Sequence, residues 1–315
     1  MAGESTTTSL NDGVYSAIIE KLYLGAAMDW VVAQQFYRRF SLIGQNSNAM
    51  DIARLDSIMG TVGDNASGVD TEFDATAATD LSNTQRTTSK VTGTCSEYAF
   101  MSTLVDDVTE DAINGVDLIN RITADSARVL MTAFEADCVA LCSSLANDAG
   151  TTKTNPTIAV MLAAQVGIRK RGYPAPDGVV QIWDDQACDD IEAALIATST
   201  SMASYATATD KLLGVDRTAN NGMGNGHVFS FRGYPVFASG LMPTLNSAED
   251  VGAMTFVPSS PQNDQFATFG QIDKRPFRIE LQRDASLRAT ELVFSQRKAC
   301  FEMTDGSGTL ITSDA

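Results

Sequence analysis

Residues 116–147, VDLINRITADSARVLMTAFEADCVALCSSLAN, carry the longest helical pattern in the chain. Their apolar side chains recur at steps of three to five residues, as one face of an α-helix requires. These side chains belong to Ile119, Ile122, Ala127, Leu130, Phe134, Cys138, Leu141 and Leu145. A continuous helix of this length would extend about 48 Å at ~1.5 Å per residue, more than twice the usual length. The pattern therefore predicts a strut that crosses a domain.

The residues before this helix suit its start and are preceded by a strand. Thr109 is expected to act as the N-cap, because negative charge in the first turn, here Glu110 and Asp111, favours a helix N-terminus. Gly115 marks a possible break. Residues 87–101 are rich in Thr, Val, Tyr and Phe, which indicates a strand.

A long polar segment lies further upstream. Residues 45–85 are rich in Asn, Ser, Thr, Gly and Asp, and Arg54 is their only base. Their acids are Asp51, Asp56, Asp64, Asp70, Glu72, Asp74 and Asp80. This segment buries too little apolar surface to fold alone. Because it leads into a strand, we expect an extended β-hairpin that a neighbouring molecule orders.

Residues 15–31 form a second pattern without a local partner. Apolar side chains recur there at three- and four-residue steps, whereas Glu20, Lys21 and Asp29 lie mostly off that stripe. This periodicity predicts an amphipathic helix. The partner of its apolar face is distant in the chain or belongs to another molecule.

Shorter helices and strands follow the long helix, which gives an α+β fold class. Pro156 suits a helix start, and Asp184 and Asp185 suit the start of another. In chain order, the predicted elements are a helix over 157–171, a strand over 179–183, a helix over 186–197, and strands within 228–238, 255–257, 266–269, 277–282, 287–303 and 309–312. The turn at residues 305–308 is expected to close a hairpin between the last two strands.

The chain has a net charge of -17 but an uneven distribution of bases. Such an excess of acid repels nucleic acid and anionic membranes. Seven of the 22 bases fall in the closing segment: Lys274, Arg275, Arg278, Arg283, Arg288, Arg297 and Lys298. No apolar run reaches the ~18 residues of a membrane-spanning helix, so we expect no membrane association.

The residue types that carry chemistry are sparse. They are one histidine, His227, and five cysteines, Cys95, Cys138, Cys142, Cys188 and Cys300. An odd number of cysteines without a Cys-x-x-Cys pair argues against a disulfide framework or a zinc ribbon. Cys138 and Cys142 share a helical face, where buried thiols are a commoner interpretation than a metal site. A single histidine makes a catalytic triad or a multi-histidine metal site improbable.

The remaining candidate motifs have simpler structural interpretations. The Gly222–His227 run lacks dinucleotide-binding spacing, and His227 has no evident nucleophile or orienting acid in the sequence. Residues 64–68 lack the calcium-loop pattern. Acids at 184–190 are interpreted as helix caps, and the bases at 169–171 as the favourable end of a helix. We therefore predict no catalytic, cofactor-binding or metal-binding residues and no enzymatic activity.

Several stretches resemble the major capsid proteins of tailed bacteriophages, which have the Hong Kong 97-like capsid fold. The resemblance covers about residues 45–315. The quoted stretches are YAFMSTLVDDVTEDAI (98–113), LINRITADSARVLMTAFEADCVAL (118–141), QVGIRKRGYPAPDGVVQIWDDQACDDIEAAL (165–195), FRGYPVFASGLMP (231–243) and IELQRDASLRATELVFSQRKACFEMTDGSGTLIT (279–312). They are similar to the family's strand and spine helix, its capped helices, its Gly-x-Pro-Val strand and its closing strands.

The resemblance implies five segments. They are an N-terminal arm (1–44), an extended loop (45–104), a peripheral domain with the spine helix (105–172), an axial domain (173–271) and a return to the peripheral strands (272–315). It implies a capsid protein whose hexamers and pentamers enclose double-stranded DNA, without sequence-specific binding, in a virion assembled in the host cytoplasm. Expected partners are a separate scaffolding protein, a portal and decoration proteins. Lys90 is not expected to form the Lys–Asn crosslink of some members.

Two alternatives and one electrostatic hypothesis remain open. The same fold could build an encapsulin-like cellular nanocompartment, and a soluble acidic α+β enzyme is the alternative from another class. The acids of the polar hairpin and the arginines of the closing segment have opposite charge. We expect them to meet between subunits, where exposed pairs each contribute only ~0–1 kcal/mol but fix the register.

Overall fold

The structure is a computed structural model of the 315-residue chain. It describes residues 31–55, 88–105, 115–150, 154–171, 178–200, 215–216, 226–231, 233–245, 250–258, 266–284 and 289–314. The predicted arm helix before residue 31, the polar segment after residue 55 and the predicted N-cap Thr109 lie outside these residues.

Three helices and twelve strands are present in the described part of the chain. The helices are α1 (Gly115–Ala140), α2 (Ile158–Lys170) and α3 (Asp185–Thr200). The strands are β1 (Arg38–Ser41), β2 (Ala49–Leu55), β3 (Thr88–Thr94), β4 (Ser96–Val105), β5 (Val180–Trp183), β6 (Val215–Asp216), β7 (His227–Phe231), β8 (Tyr234–Ala238), β9 (Asp250–Phe256), β10 (Phe269–Asp284), β11 (Ala289–Glu302) and β12 (Thr309–Asp314).

The long helix predicted from the apolar stripe is confirmed. Helix α1 has 26 residues, and a 3-10 turn continues it over Leu141–Ser144. Leu130, Phe134 and Cys138 of the predicted stripe are buried. The described part of the helix starts at Gly115, so the possible break there stays a prediction.

The strands form two larger sheets and one hairpin. The four-stranded sheet has the order β1-β10-β11-β4, in which only the β1–β10 pair is parallel. The six-stranded sheet has the order β12-β9-β5-β8-β7-β6. Strands β2 and β3 pair with each other in antiparallel register, which agrees with the start and the return of the predicted hairpin.

The core is layered because side chains alternate along each strand. Val180 and Ile182 on β5 face α1, where they pack with Phe134 and Cys138. Trp183, on the other face of β5, packs with residues of α2 and α3. Helix α1 also packs against β4 and β11. It therefore contacts both sheets.

The β2–β3 hairpin lies on the face of the four-stranded sheet opposite α1. Ile52 and Met50 of β2 pack with Ile272 and Phe301 of the sheet. At Gly93 the hairpin comes so close that an added Cβ would lie 2.5 Å from Ile272 Cδ1. The strand predicted over 87–101 is present as two strands, β3 and β4, which are separated at Cys95, where the chain passes from the hairpin into the sheet.

The helix ends follow the sequence signals. The Thr157 hydroxyl accepts a hydrogen bond from the Val160 N–H at 3.4 Å, which caps α2. Asp184 Oδ2 accepts from the Gln186 N–H at 3.0 Å and caps α3. These contacts confirm that both helices begin where the sequence predicts.

The closing hairpin predicted at residues 305–308 is wrong. This stretch forms a 3-10 turn, but β12 pairs with β9 of the six-stranded sheet instead of with β11. Pairing with β9 buries Ile311 completely among residues of that sheet and α2. The turn residues direct a reversal of the chain, and burial of β12 decides the partner strand.

Candidate functional site

A buried carboxylate on α1 binds backbone N–H groups of residues 32–34. Glu135 is fully buried, and its Oε1 accepts hydrogen bonds from the N–H groups of Val32, at 2.9 Å, and Ala33. Its Oε2 accepts from the Gln34 N–H at 3.4 Å. These N–H groups begin a 3-10 turn that has no side-chain cap of its own. Glu135 therefore satisfies backbone donors that would otherwise be buried without partners.

The environment of Glu135 opposes its charge. Burial raises the pKa of Glu135, and the hydrogen bonds from the Ala33, Val32 and Gln34 backbone act in the other direction. A second contact continues the attachment, because the Tyr37 hydroxyl donates to the Cys138 carbonyl at 2.8 Å. This arrangement forms a clamp between α1 and residues 32–37.

The clamp corrects one expectation about the predicted N-terminal arm. Val32, Ala33, Tyr37 and Leu42 are buried on the body of their own chain. Strand β1 also pairs with β10 of the same chain. Residues 31–44 therefore pack on the body of their own chain, although Ile43 is 59% exposed.

A charged cluster joins three strands on the face opposite α1. Glu97 Oε1 lies 2.5 Å from Arg275 Nη2, and Glu97 Oε2 lies 2.7 Å from Arg297 Nη2. Arg275 also donates to Ser295 Oγ at 3.0 Å. The hydrogen bonds from Arg297 and then Arg275 hold the pKa of Glu97 below its usual value. The cluster ties β4 to β11 and β10.

This cluster revises the hypothesis about pairing between subunits. Arg275 and Arg297 are bound within their own chain, because the antiparallel register places Glu97 opposite Arg297. Arg278 likewise pairs with Glu280 at 3.2 Å. The side chains of Arg283 and Arg288 lie outside the described residues, so the hypothesis for them stays a prediction.

The base of the β2–β3 hairpin is also held by charge. Asp51 accepts hydrogen bonds from Thr92, at 2.5 Å, and from Lys90, at 2.9 Å, and both lower the pKa of Asp51. Lys274 of β10 donates to the carbonyls of Gln45 and Ser47. The ammonium of Lys274 therefore fixes the loop that leads into the hairpin.

The cysteines behave as apolar side chains. Cys138 and Cys142 lie in one buried cluster, as their spacing predicts, and Cys188 is buried beside α2. Burial raises the pKa of Cys142 to about 12, which keeps the thiol protonated and unreactive. Cys95 and Cys300 are half-buried and free. Among the described residues, no group of three His, Cys, Asp or Glu side chains could hold a metal ion.

The acidic and basic motifs have structural roles. Asp184 caps α3, and Asp190 accepts a hydrogen bond from Asn155 at 3.1 Å. Arg171, at the end of α2, donates to the carbonyls of Gly306 and Gly308 at 2.6 and 2.8 Å and to Thr309 Oγ1. The basic run thus ends a helix, as predicted, and it also holds the turn before β12, which the sequence did not indicate.

His227 has a hydroxyl neighbour that sequence reasoning missed. His227 Nε2 lies 3.1 Å from Ser230 Oγ, and the imidazole ring packs edge-on against Phe237. Ser230 is only 7% exposed, so its hydroxyl is not presented to a substrate. Gly226, the one glycine of the run before His227 that is described, has φ +78° and forms the turn into β7.

Comparison with solved structures identifies the fold. The chain matches a structure from Mycobacterium phage Che8 with a TM-score of 0.62 and 12% identity, over 89% of this chain and 90% of that one. It matches the capsid of cyanophage P-SCSP1u with a TM-score of 0.62 and 10% identity, over 90% and 88%. The holo-SrpI encapsulin of Synechococcus elongatus PCC 7942 gives a TM-score of 0.56 and 10% identity, over 89% and 86%.

Sequence comparison adds no relative, because no family model and no curated protein matches the chain. None of the helices in the described ranges is long and apolar enough to cross a membrane.

The agreement with the phage and encapsulin structures extends over about nine-tenths of each chain. The chain therefore has the capsid-protein fold of tailed phages, which the encapsulin shares.

Proposed function

We propose that this chain is the major capsid protein of a tailed bacteriophage. Its hexamers and pentamers would tile an icosahedral head that encloses double-stranded DNA. The observation that carries the proposal is the fold, which matches shell-forming proteins over about nine-tenths of both chains. These neighbours are structural shell proteins. They support a structural role without catalysis over the alternative of a soluble acidic enzyme.

We assign the segments by the same likeness. Residues 1–44 are the arm, 45–104 the extended loop, 105–172 the peripheral domain with α1 as its spine helix, 173–271 the axial domain and 272–315 the return to the peripheral strands. Strand β12, however, pairs with β9, so the last strand contributes to the six-stranded sheet of the axial domain.

The charge of the chain supports a container more than a DNA-binding protein. A net charge of -17 repels phosphate, so packaged DNA would be confined without being bound. We place the protein in the virion, assembled in the host cytoplasm with a separate scaffolding protein, a portal and decoration proteins. Lys90 pairs with Asp51, and we assign it no crosslink.

The alternative is an encapsulin-like nanocompartment, which the encapsulin match favours. The particle contents distinguish the two functions. We expect particles purified from the natural host to protect DNA from added nuclease. Particles that hold an enzyme and no nuclease-resistant DNA would favour the nanocompartment, and a chain that remains monomeric would remove both.

A further inference from the structure

The four-stranded sheet has two open edges of different character. Among the described residues, β4 pairs only with β11, and β10 beyond Asp273 also pairs only with β11. The open part of β10 carries Pro276, Arg278 and Glu280. Proline and exposed charges are the features that prevent an edge strand from pairing with another chain. The β10 edge is therefore protected.

The β4 edge lacks this protection. Residues 98–105, YAFMSTLV, contain no charge and no proline, and half of them are of types that favour strands. Met101 is 59% exposed and Phe100 is 36% exposed. Because these two residues are adjacent on a strand, they lie on opposite faces of the sheet. An edge with exposed apolar side chains on both faces is a template for association.

The side-chain hydrogen bonds and ring contacts of β4 that the structure describes lie at its first residues. Tyr98 packs against Phe134 of α1, and its hydroxyl donates to Asp137 at 2.5 Å. The carboxylate of Glu97 accepts hydrogen bonds from Arg275 and Arg297. From Ala99 to Met101 the strand is exposed. Among the described side chains, the contacts of α1 with β4 are those of Tyr98, which precedes the apolar pair Phe100 and Met101.

We propose that a second copy of this chain covers the β4 edge at residues 99–101, with Phe100 and Met101 as apolar anchors. The proposal rests on the proposed shell assembly, which places identical subunits side by side. The occupant is a protein surface of matching apolar character, because residues 98–105 offer no charge to attract DNA or an acidic partner.

The test compares two substitutions that add the same charge at the two edges. Met101→Lys places a cation at the β4 edge, and Gln282→Lys places one at the exposed position 282 of the β10 edge. The full-length chain and both variants are each expressed together with the proposed scaffolding protein, and the assembled fraction is measured by sedimentation with circular dichroism as the control for folding. We expect Met101→Lys to lower the assembly constant at least about tenfold, since an unpaired charge is costly in an interface. Gln282→Lys should assemble like the unsubstituted chain.

Each outcome has a meaning. If Met101→Lys is folded and assembles like the unsubstituted chain, the inference is wrong although the shell function stands. If the unsubstituted chain does not assemble, the shell function itself fails. If Met101→Lys does not fold, a photo-crosslinking residue at position 101 decides in assembled particles. A crosslink to a second copy supports the inference, and a crosslink only within the chain or to another protein overturns it.

Discussion

Replacing Glu135 with alanine removes the hydrogen-bond acceptor for the backbone of residues 32–34. The variant leaves the N–H groups of Val32 and Ala33 buried without their acceptor, and it also removes the longer contact to Gln34. Water cannot easily replace the carboxylate, because Val32 and Ala33 are 8% and 0% exposed. The expected effect is both global destabilisation and local opening of residues 32–37.

The magnitude follows from the bonds lost and the burial relieved. Hydrogen bonds to a charged group contribute about 1.5–3 kcal/mol each, and Glu135 makes two strong ones. The variant no longer has to bury an ionised carboxylate, and the desolvation cost that it saves offsets part of this loss. We expect Glu135→Ala to lower the free energy of unfolding by about 3 kcal/mol, at the lower end of the range for losing a buried charged partner. Glu135→Gln keeps one acceptor and should cost less.

Urea denaturation gives the free energy of unfolding, and hydrogen exchange reports the Val32 and Ala33 amides directly. If the loss appears as local opening, 3 kcal/mol corresponds to about a hundredfold faster exchange. Asp125→Ala is the matched control, because Asp125 lies on the same helix with a side chain 76% exposed. Its effect should stay within about 0.5 kcal/mol. An equally small effect of Glu135→Ala, with unchanged exchange at residues 32–34, would refute the reasoning.

Three further predictions concern other contacts. Gly93→Val should loosen the β2–β3 hairpin, because a side chain at position 93 would clash with Ile272 and Phe301. The melting temperature should therefore fall, and an unchanged melting temperature would contradict the close approach. Arg171→Met should destabilise the chain by about 2–3 kcal/mol and speed exchange in β12, since its guanidinium holds residues 306–309, whereas the neighbouring Lys170→Met should change little. The lowered pKa of Glu97 stabilises the fold above the ordinary glutamate pKa of about 4.3, and this contribution disappears as the pH falls through the lower folded pKa. Urea midpoints of Glu97→Gln and the unsubstituted chain should therefore differ at pH 7 and converge as the pH falls through the lowered pKa of Glu97. A difference that stays constant with pH would exclude the ion cluster as its cause.

The elements that sequence reasoning found are those with a strong local pattern. Helix α1 was predicted because its stripe repeats over more than seven turns, and the starts of α2 and α3 were predicted from Pro156 and Asp184. The buried strand β5 was recognised from its short apolar run. In each case, neighbouring residues carry the whole signal.

The features that could not be predicted from the sequence depend on contacts between residues far apart in the chain. Nothing near residues 305–308 indicates that β12 pairs with β9, because burial of Ile311 decides that choice. Glu135 directly follows Phe134 of the apolar stripe, and an acid beside such a stripe was the one available hint of the clamp. Its donors lie about a hundred residues away, so their identity could not be inferred.

The charged cluster shows the limit of reasoning from sign alone. Complementary charges in the polar hairpin and the closing segment predicted that their acids and arginines meet between subunits. They did not reveal that Arg275 and Arg297 share Glu97 of the same chain, which follows from the register of β4 and β11.

The central claim is that copies of this chain build a closed shell. Cryo-electron microscopy of the purified full-length protein, expressed with the scaffolding protein that we propose for it, tests this claim. We expect hollow particles of uniform diameter with five-fold vertices and six-fold capsomers. A preparation that holds only single chains or small open oligomers, with every subunit folded, would contradict it.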